Sequence, residues 1–497
     1  MNESRRPFLI LIVFVVCSIS AGLAQAQLQP LRDKHDYRPV RDEFWKSVER
    51  SIQNGQTGAV FKMAPPQQQS GPEIDEWKLG IAKALFASGN PLHAQYLLMT
   101  VAMKSVGTRQ GFEALRLLHR IAKEDTIDET AMEELAFDLD TKIDEPESRS
   151  MIAYFKAKAL LRRGYTEWAE KALAEIVPGT TYAEELEFDR TLQILNAGDT
   201  PMAYVKFESL TKSQAARRST VLLSRLALAR LVFERRDYRG AIETYLKIDL
   251  PTRERARTLN ELAWSYYYDR AYGRALGTIR AIKSAYFERL LSPETFLVEM
   301  LIYRELCHFK TVKAIVKEFQ EFYKPVFQAI EERKPLENIP QIQQMILQEG
   351  NFQKRALAIQ SIRTERRALE AVSWSADEFK AELIELAAKH ERLIDAEITR
   401  MMRTRIDDIA NWFLDLREQA LFLDYEASMR MIQLNEDQKE TYVPRKADPI
   451  KSSVLFWPVT SESWLDELLD YEVLVQDQCR QGMPRRVGPG FPGRRGD

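Results

Sequence analysis

The chain has 497 residues, 29% of them charged and 45% hydrophobic, with a formal net charge of −2. That balance excludes a general attraction to nucleic acid or to acidic lipid, and its apolar share is enough to bury cores. Glycine and proline together make up about 8% of the chain, against about 12% in average usage, which points to an all-α protein.

At the N-terminus, Arg5 and Arg6 precede an uncharged apolar run from Phe8 to Ile19, followed by Ala24-Gln25-Ala26. A positive n-region, a short apolar core and a small-x-small site predict a signal peptide over residues 1–26, with Gln27 as the mature start. The run falls short of the roughly 20 residues of a spanning helix, so no permanent membrane span is expected after cleavage. Ser4-Arg5-Arg6-Pro7-Phe8-Leu9 also resembles a twin-arginine address. The general secretory route is the simpler expectation, because no cofactor motif calls for folded export. Cys17 follows Val15-Val16 and makes a poor lipidation site. The expected location is the periplasm.

Residues 27–76 read as an N-terminal segment with a short helix near Asp42–Gln53, followed by a linker, Pro65-Pro66-Gln67-Gln68-Gln69-Ser70-Gly71-Pro72. From residue 77 to 323, short amphipathic stretches alternate with brief turns. Arg236-Asp237-Tyr238-Arg239-Gly240-Ala241 recurs as Arg270-Ala271-Tyr272-Gly273-Arg274-Ala275, and Ala241 to Ala275 is 34 residues. Ala169 to Ala203 is 34 again. Ala157, Ala229 and Ala263 lie twelve residues before Ala169, Ala241 and Ala275, as Ala82 does before Ala94. Ala131 and Val312 extend the register more weakly.

Small residues at facing positions let two antiparallel helices approach closely. A 34-residue period of that kind predicts a tetratricopeptide-type α-solenoid of about seven units. In such arrays the first helix of each hairpin lines a groove, which here would present Arg230, Phe233, Arg257, Asn260, Trp264, Tyr267 and Tyr268. Basic and aromatic groups suit an extended peptide bearing a carboxylate. The competing reading makes the aromatic residues packing between repeats.

Pro325, Pro335 and Pro340 mark residues 324–350 as a Pro-rich junction. Residues 351–443 carry neither Gly nor Pro, which predicts long helices forming a hairpin or coiled-coil region. Ser375 with Glu378 reads as a capping box that restarts a helix at Asp377. Phe379, Leu383 and Leu386 begin an apolar seam. Ile394, Ile398 and Met401 continue it after a one-residue slip, and Ile409, Phe413, Leu416, Ala420 and Leu423 complete it. Slips favour a hairpin or bundle over one continuous two-stranded coil, leaving internal packing and a partner helix both open. Residues 444–480 form a C-terminal Trp/Cys block, and residues 481–497 a basic, Gly- and Pro-rich tail expected to be disordered.

Groups for catalysis are missing from this pattern. His35, His93, His119, His308 and His390 show no ligand spacing on a helix face, and there is no phosphate loop or nucleophile elbow. His308 beside Cys307 is an isolated pair. Asp466, Glu467 and Asp470 near Trp464 read as a solvated face. No enzyme activity, cofactor, metal or small-molecule substrate is expected. Cys307 and Cys479 remain after signal removal, an even count that in an oxidising compartment predicts a disulfide, with two separate thiols as the alternative.

Two passages resemble a known group. One is Trp264-Ser265-Tyr266-Tyr267-Tyr268-Asp269-Arg270-Ala271-Tyr272-Gly273-Arg274-Ala275-Leu276, followed by Ser284-Ala285-Tyr286-Phe287 and Ser292-Pro293-Glu294. The other is Phe456-Trp457-Pro458, followed by Ser463-Trp464-Leu465-Asp466-Glu467-Leu468, Tyr471 and Cys479. They resemble the exported tetratricopeptide proteins of the adventurous gliding-motility machinery of myxobacteria and related predatory bacteria, over roughly residues 150–480. Where that group carries an acidic glycine pair, this chain has Ser461-Glu462-Ser463. The resemblance implies a periplasmic scaffold in a trans-envelope complex, whose partners are inner-membrane motor or outer-membrane proteins. A chaperone-like adaptor for exported or outer-membrane clients is the alternative role.

Overall fold

The computed structural model describes residues 37–123, 127–139, 142–248, 252–284, 287, 291–348, 350–437 and 471–479. The expected signal peptide, the Trp464–Asp470 block and the basic tail lie outside the described residues. The described chain is all-helical, and its helices pack mainly as neighbouring pairs in an α-solenoid-like manner. They divide into two compact units, residues 37–231 with 346–404 and residues 232–345 with 405–479.

The first unit opens with α1 (Asp42–Gln53) and α2 (Thr57–Phe61). The pairs α3 (Pro72–Ala87) with α4 (Pro91–Lys104), and α6 (Glu129–Asp138) with α7 (Pro146–Arg162), flank α5 (Arg109–Lys123). After α8 (Thr166–Leu173) come α9 (Thr181–Asn196), α10 (Thr200–Lys212) and α11 (Arg218–Glu234). The starts follow local chemistry. Asp128, Thr180 and Asp199 accept hydrogen bonds from the N–H groups of Ala131, Ala183 and Met202, and Pro72, Pro91 and Pro146 occupy first-turn positions.

The spaced alanines behave as contact points. Ala82, Ala94, Ala131, Ala157, Ala169 and Ala203 are at most 1% exposed, so helices approach there with only methyl groups in the way. A polar ladder repeats the same spacing. Val40 N–H donates to Glu76 at 2.7 Å, Thr181 N–H to Glu147 at 3.1 Å and Tyr154 Oη to Asp189 at 2.9 Å; each pair is 34 to 36 residues apart.

Helix α19 (Gly350–Glu370) and the first part of α20 (Asp377–Asp437) complete this unit. They run antiparallel, since Arg355 pairs with Glu397 and Arg363 with Glu391. Their apolar seam turns inward. Ile359, Ile362, Ala387 and Ile394 bury against Leu92, Tyr96 and Ala131, while Trp374 stacks on Phe61 at 4.6 Å and Phe379 meets Trp77 edge-on at 4.8 Å. Of the two readings left open for this seam, the chain's own helices cover this half of it. The hairpin arms are unequal, and α20 is one continuous helix of 61 residues through the slip. It starts at Asp377 as expected, but Ser375 is not its cap. The Ser375 hydroxyl instead donates to the Met63 carbonyl at 2.9 Å, tying the hairpin bend to the end of α2.

In the second unit α12 (Tyr238–Leu246), α13 (Thr252–Tyr268), α14 (Tyr272–Ile282), α15 (Pro293–Glu305) and α16 (Phe309–Phe322) continue the pairing. Ala241, Ala263, Ala275 and Val312 are fully buried. The junction prolines start helices as well as ending them, Pro325 within the first turn of α17 (Lys324–Glu331) and Pro340 as the first residue of α18 (Pro340–Gln348). Phe413 of α20 packs on Tyr323 and Phe327 at 5.1 and 6.1 Å, with Ile409, Leu416, Ala420 and Leu423 buried along the same face.

Candidate functional site

Helix α14 carries two glycines one turn apart, Gly273 and Gly277. Glycine in a helix interior costs about 1 kcal/mol relative to alanine, so Gly277, in the middle of α14, needs a steric reason. The second unit supplies one. Residues 471–479 form an extended strap laid across α14, and the Val473 N–H donates to the Gly273 carbonyl at 3.0 Å. A Cβ at Gly273 would stand 2.9 Å from the Val473 carbonyl oxygen, and one at Gly277 would overlap the Tyr471 carbonyl. The glycines therefore let peptide backbone touch helix backbone.

The strap then crosses to the turn between α15 and α16. Gln478 N–H donates to the Leu306 carbonyl at 3.0 Å, and the His308 imidazole lies 2.6 Å from the Gln476 carbonyl. A carbonyl only accepts, so His308 Nε2 carries the proton. A disulfide between Cys307 and Cys479, with Cα atoms 5.2 Å apart, closes the strap. Along it Tyr471, Val473 and Val475 are half-buried while Glu472, Leu474 and Gln476 are exposed, the period-two alternation of an extended strand. Hydrogen bonds at the backbone of Val473, Gln476 and Gln478 and one covalent bond tie the segment down. His308 is thus an anchor for the strap, beside a cysteine engaged in a disulfide.

The expected groove residues divide between environments. Arg230 belongs to the first unit and is half-buried. Asn260 is buried between hairpins, donating to Glu294 at 3.2 Å and accepting from the Thr295 hydroxyl at 3.2 Å, so it stitches repeats together. Burial pushes the Glu294 carboxyl up, with Arg257 opposing it. Arg257 also lies 3.7 Å from Glu261. Trp264, Tyr267, Tyr268 and Phe233 join Tyr238 in one ring cluster: Tyr268 stacks on Tyr238 at 5.1 Å and on Trp264 at 5.9 Å, and meets Phe233 edge-on at 5.6 Å. Tyr267 completes it against Trp264 at 5.8 Å. These rings pack between consecutive hairpins while keeping an open edge, with Tyr268 46% exposed.

The described histidines of the first unit make capping and packing contacts. In the first unit Glu365 accepts from the Leu92 and His93 N–H groups at 3.2 and 3.0 Å and pairs with the His93 ring at 2.8 Å, capping α4 from α19. His390 stacks on Tyr96 at 4.1 Å and faces Asp128 at 3.7 Å. Burial lifts Asp128 to about 6 and lowers His390 to about 4. His119 is lowered by burial to about 4 as well, beside Glu147. Among the described residues no group of three or more His, Cys, Asp or Glu could hold a metal ion, and no helix is long and apolar enough to cross a membrane.

The strap surface was missed by motif reasoning, although Gly273 and Gly277 stand in the repeat that revealed the period. Their spacing was the available signal. Models of protein families, curated proteins and solved structures were all compared with the chain, and none matches it.

Proposed function

We propose that this chain is a tetratricopeptide-type scaffold of the periplasm, a non-catalytic holder of other envelope proteins in a trans-envelope complex of the gliding-motility type. The observation that carries the proposal is the strap, an extended segment seated on α14 through backbone contacts at Gly273 and Gly277. A surface that accepts one extended chain by its backbone suits others of little shared sequence, because main-chain hydrogen bonds supply the holding and side chains only select. The alanine recurrence at 34 residues supports the tetratricopeptide assignment. The N-terminal signal pattern supports export, and the two passages resembling gliding-motility proteins support the machine. The partners proposed are inner-membrane motor or outer-membrane components, with no cofactor, nucleic acid or small-molecule substrate.

The strap also favours a second reading, an adaptor that passes exported or outer-membrane clients along the same face. Crosslinking in intact envelopes followed by capture of this chain separates them. A scaffold returns a fixed set of motor or outer-membrane components, and an adaptor returns many exported polypeptides. Recovery of neither would sink both readings.

A further inference from the structure

Helix α20 is apolar on two opposite sides in the second unit. Phe413, Leu416, Ala420, Leu423 and Ala427 are buried against the array. Leu414, Leu421, Tyr425, Met429 and Ile432 are 40%, 48%, 64%, 40% and 53% exposed. At about 100° per residue the exposed set forms one stripe, centred roughly 160° round the helix from the buried one. An exposed stripe of large apolar side chains of this length, interrupted by one carboxylate, Glu418, marks an interaction surface more often than chance scatter does.

We infer that this stripe pairs with the same stripe of a second copy of the chain, antiparallel, about a two-fold axis that lies between the two helices at the level of residue 423. That axis sets Leu414 against the partner copy's Ile432 and Leu421 against its Tyr425, each contact occurring twice as an isologous interface requires. It also sets Glu418, the exposed charge within the stripe, against Ser428. There Lys313 Nζ, 2.8 Å from the Ser428 hydroxyl, pairs with Asp424 at 2.9 Å and is 39% exposed, so an arriving carboxylate would share that cation with Asp424. Parallel, in-register pairing would bring the two Glu418 carboxylates together, a repulsive arrangement. Charge thus selects the antiparallel register. The paired segment, residues 414–432, is about 27 Å long. That is small for a specific interface, and it fits a weak dimer dissociating in the micromolar range.

The test is sedimentation velocity on the full chain from about 1 to about 100 µM, a window chosen to bracket that range. A concentration-dependent dimer is expected. Leu421→Glu combined with Tyr425→Glu should leave a monomer of unchanged helicity and melting temperature, and Glu418→Lys should weaken the dimer several-fold. Register is read by oxidation. Leu414→Cys and Ile432→Cys chains should crosslink to each other when mixed and not to themselves. A parent chain that stays monomeric, because another segment or a different protein occupies the stripe, would overturn the inference. So would self-crosslinking of either single-cysteine chain, which would mean parallel pairing.

Discussion

At the turn between α13 and α14, Arg270 holds φ at 62°, and Arg236 and Cys307 hold 65° and 60° at the matching turns of neighbouring hairpins. Gly89, Gly164 and Gly198 fill the same turn position elsewhere, with φ between 80° and 91°. The left-handed conformation ends one helix and redirects the chain into the next, and an L side chain pays about 1–2 kcal/mol to adopt it. Arg270 is exposed, so its side chain offsets little of that. Arg270→Gly should therefore stabilise the protein by about 0.5–1 kcal/mol, after the extra unfolded-state entropy of glycine is deducted. A urea midpoint that rises with an unchanged slope would show it; a fall would mean that Arg270 makes a contact worth more than the strain. The turn positions were legible in the sequence at the glycines and hidden at the arginines, because a residue type does not report a strained φ.

The strap is the element whose placement tests most directly how this surface holds a chain. Alanine is the better helix former, so Gly277→Ala should leave α14 intact or slightly firmer. Its methyl group would collide with the Tyr471 carbonyl, and the strap must lift. The expected result is faster hydrogen exchange at the Val473 N–H, with the α14 amides unchanged and the Cys307–Cys479 bond still formed. Retained protection at Val473 would show that the glycines are not what admits the strap. The cysteines were paired from their count, yet the path between them was not. An extended segment that bonds through its backbone leaves only period-two alternation over six residues, too short a pattern to stand out before its partner helix is known.

Across the molecule, the contacts between distant parts of the chain carry the pH dependence. Burial keeps His119 and His390 neutral in the folded state down to about 4, whereas in the unfolded chain they take up protons below 6.5. Between those values the unfolded state binds more protons, so stability falls as pH falls. Asp128 works in the other direction. Lifted by burial to about 6 from 3.8, it holds a proton in the folded state that the unfolded state has released, and its contribution grows as pH drops through about 6. His390→Phe keeps a ring on Tyr96 and removes one titrating group. The stability of this variant should fall less steeply between pH 6.5 and 4, by up to about 1.4 kcal/mol per pH unit. Melting curves of parent and variant that stay parallel over that range would contradict the assignment.

What the sequence determined by itself was periodic and local. Alanines at 34-residue spacing, capping aspartates and first-turn prolines specify helix pairs, because each acts within a few residues or at a fixed repeat distance. Tertiary structure alone decided what lies on those pairs. Glu365 meets the start of α4 from 272 residues away along the chain, and Val473 meets Gly273 across a gap of comparable size. Such contacts carry no period, and each partner has an unremarkable identity in its own neighbourhood. The seam of α19 and α20 shows the division best: its spacing was visible, but the surface that covers it was chosen by the fold, which buries one side of α20 in the second unit and leaves the other exposed.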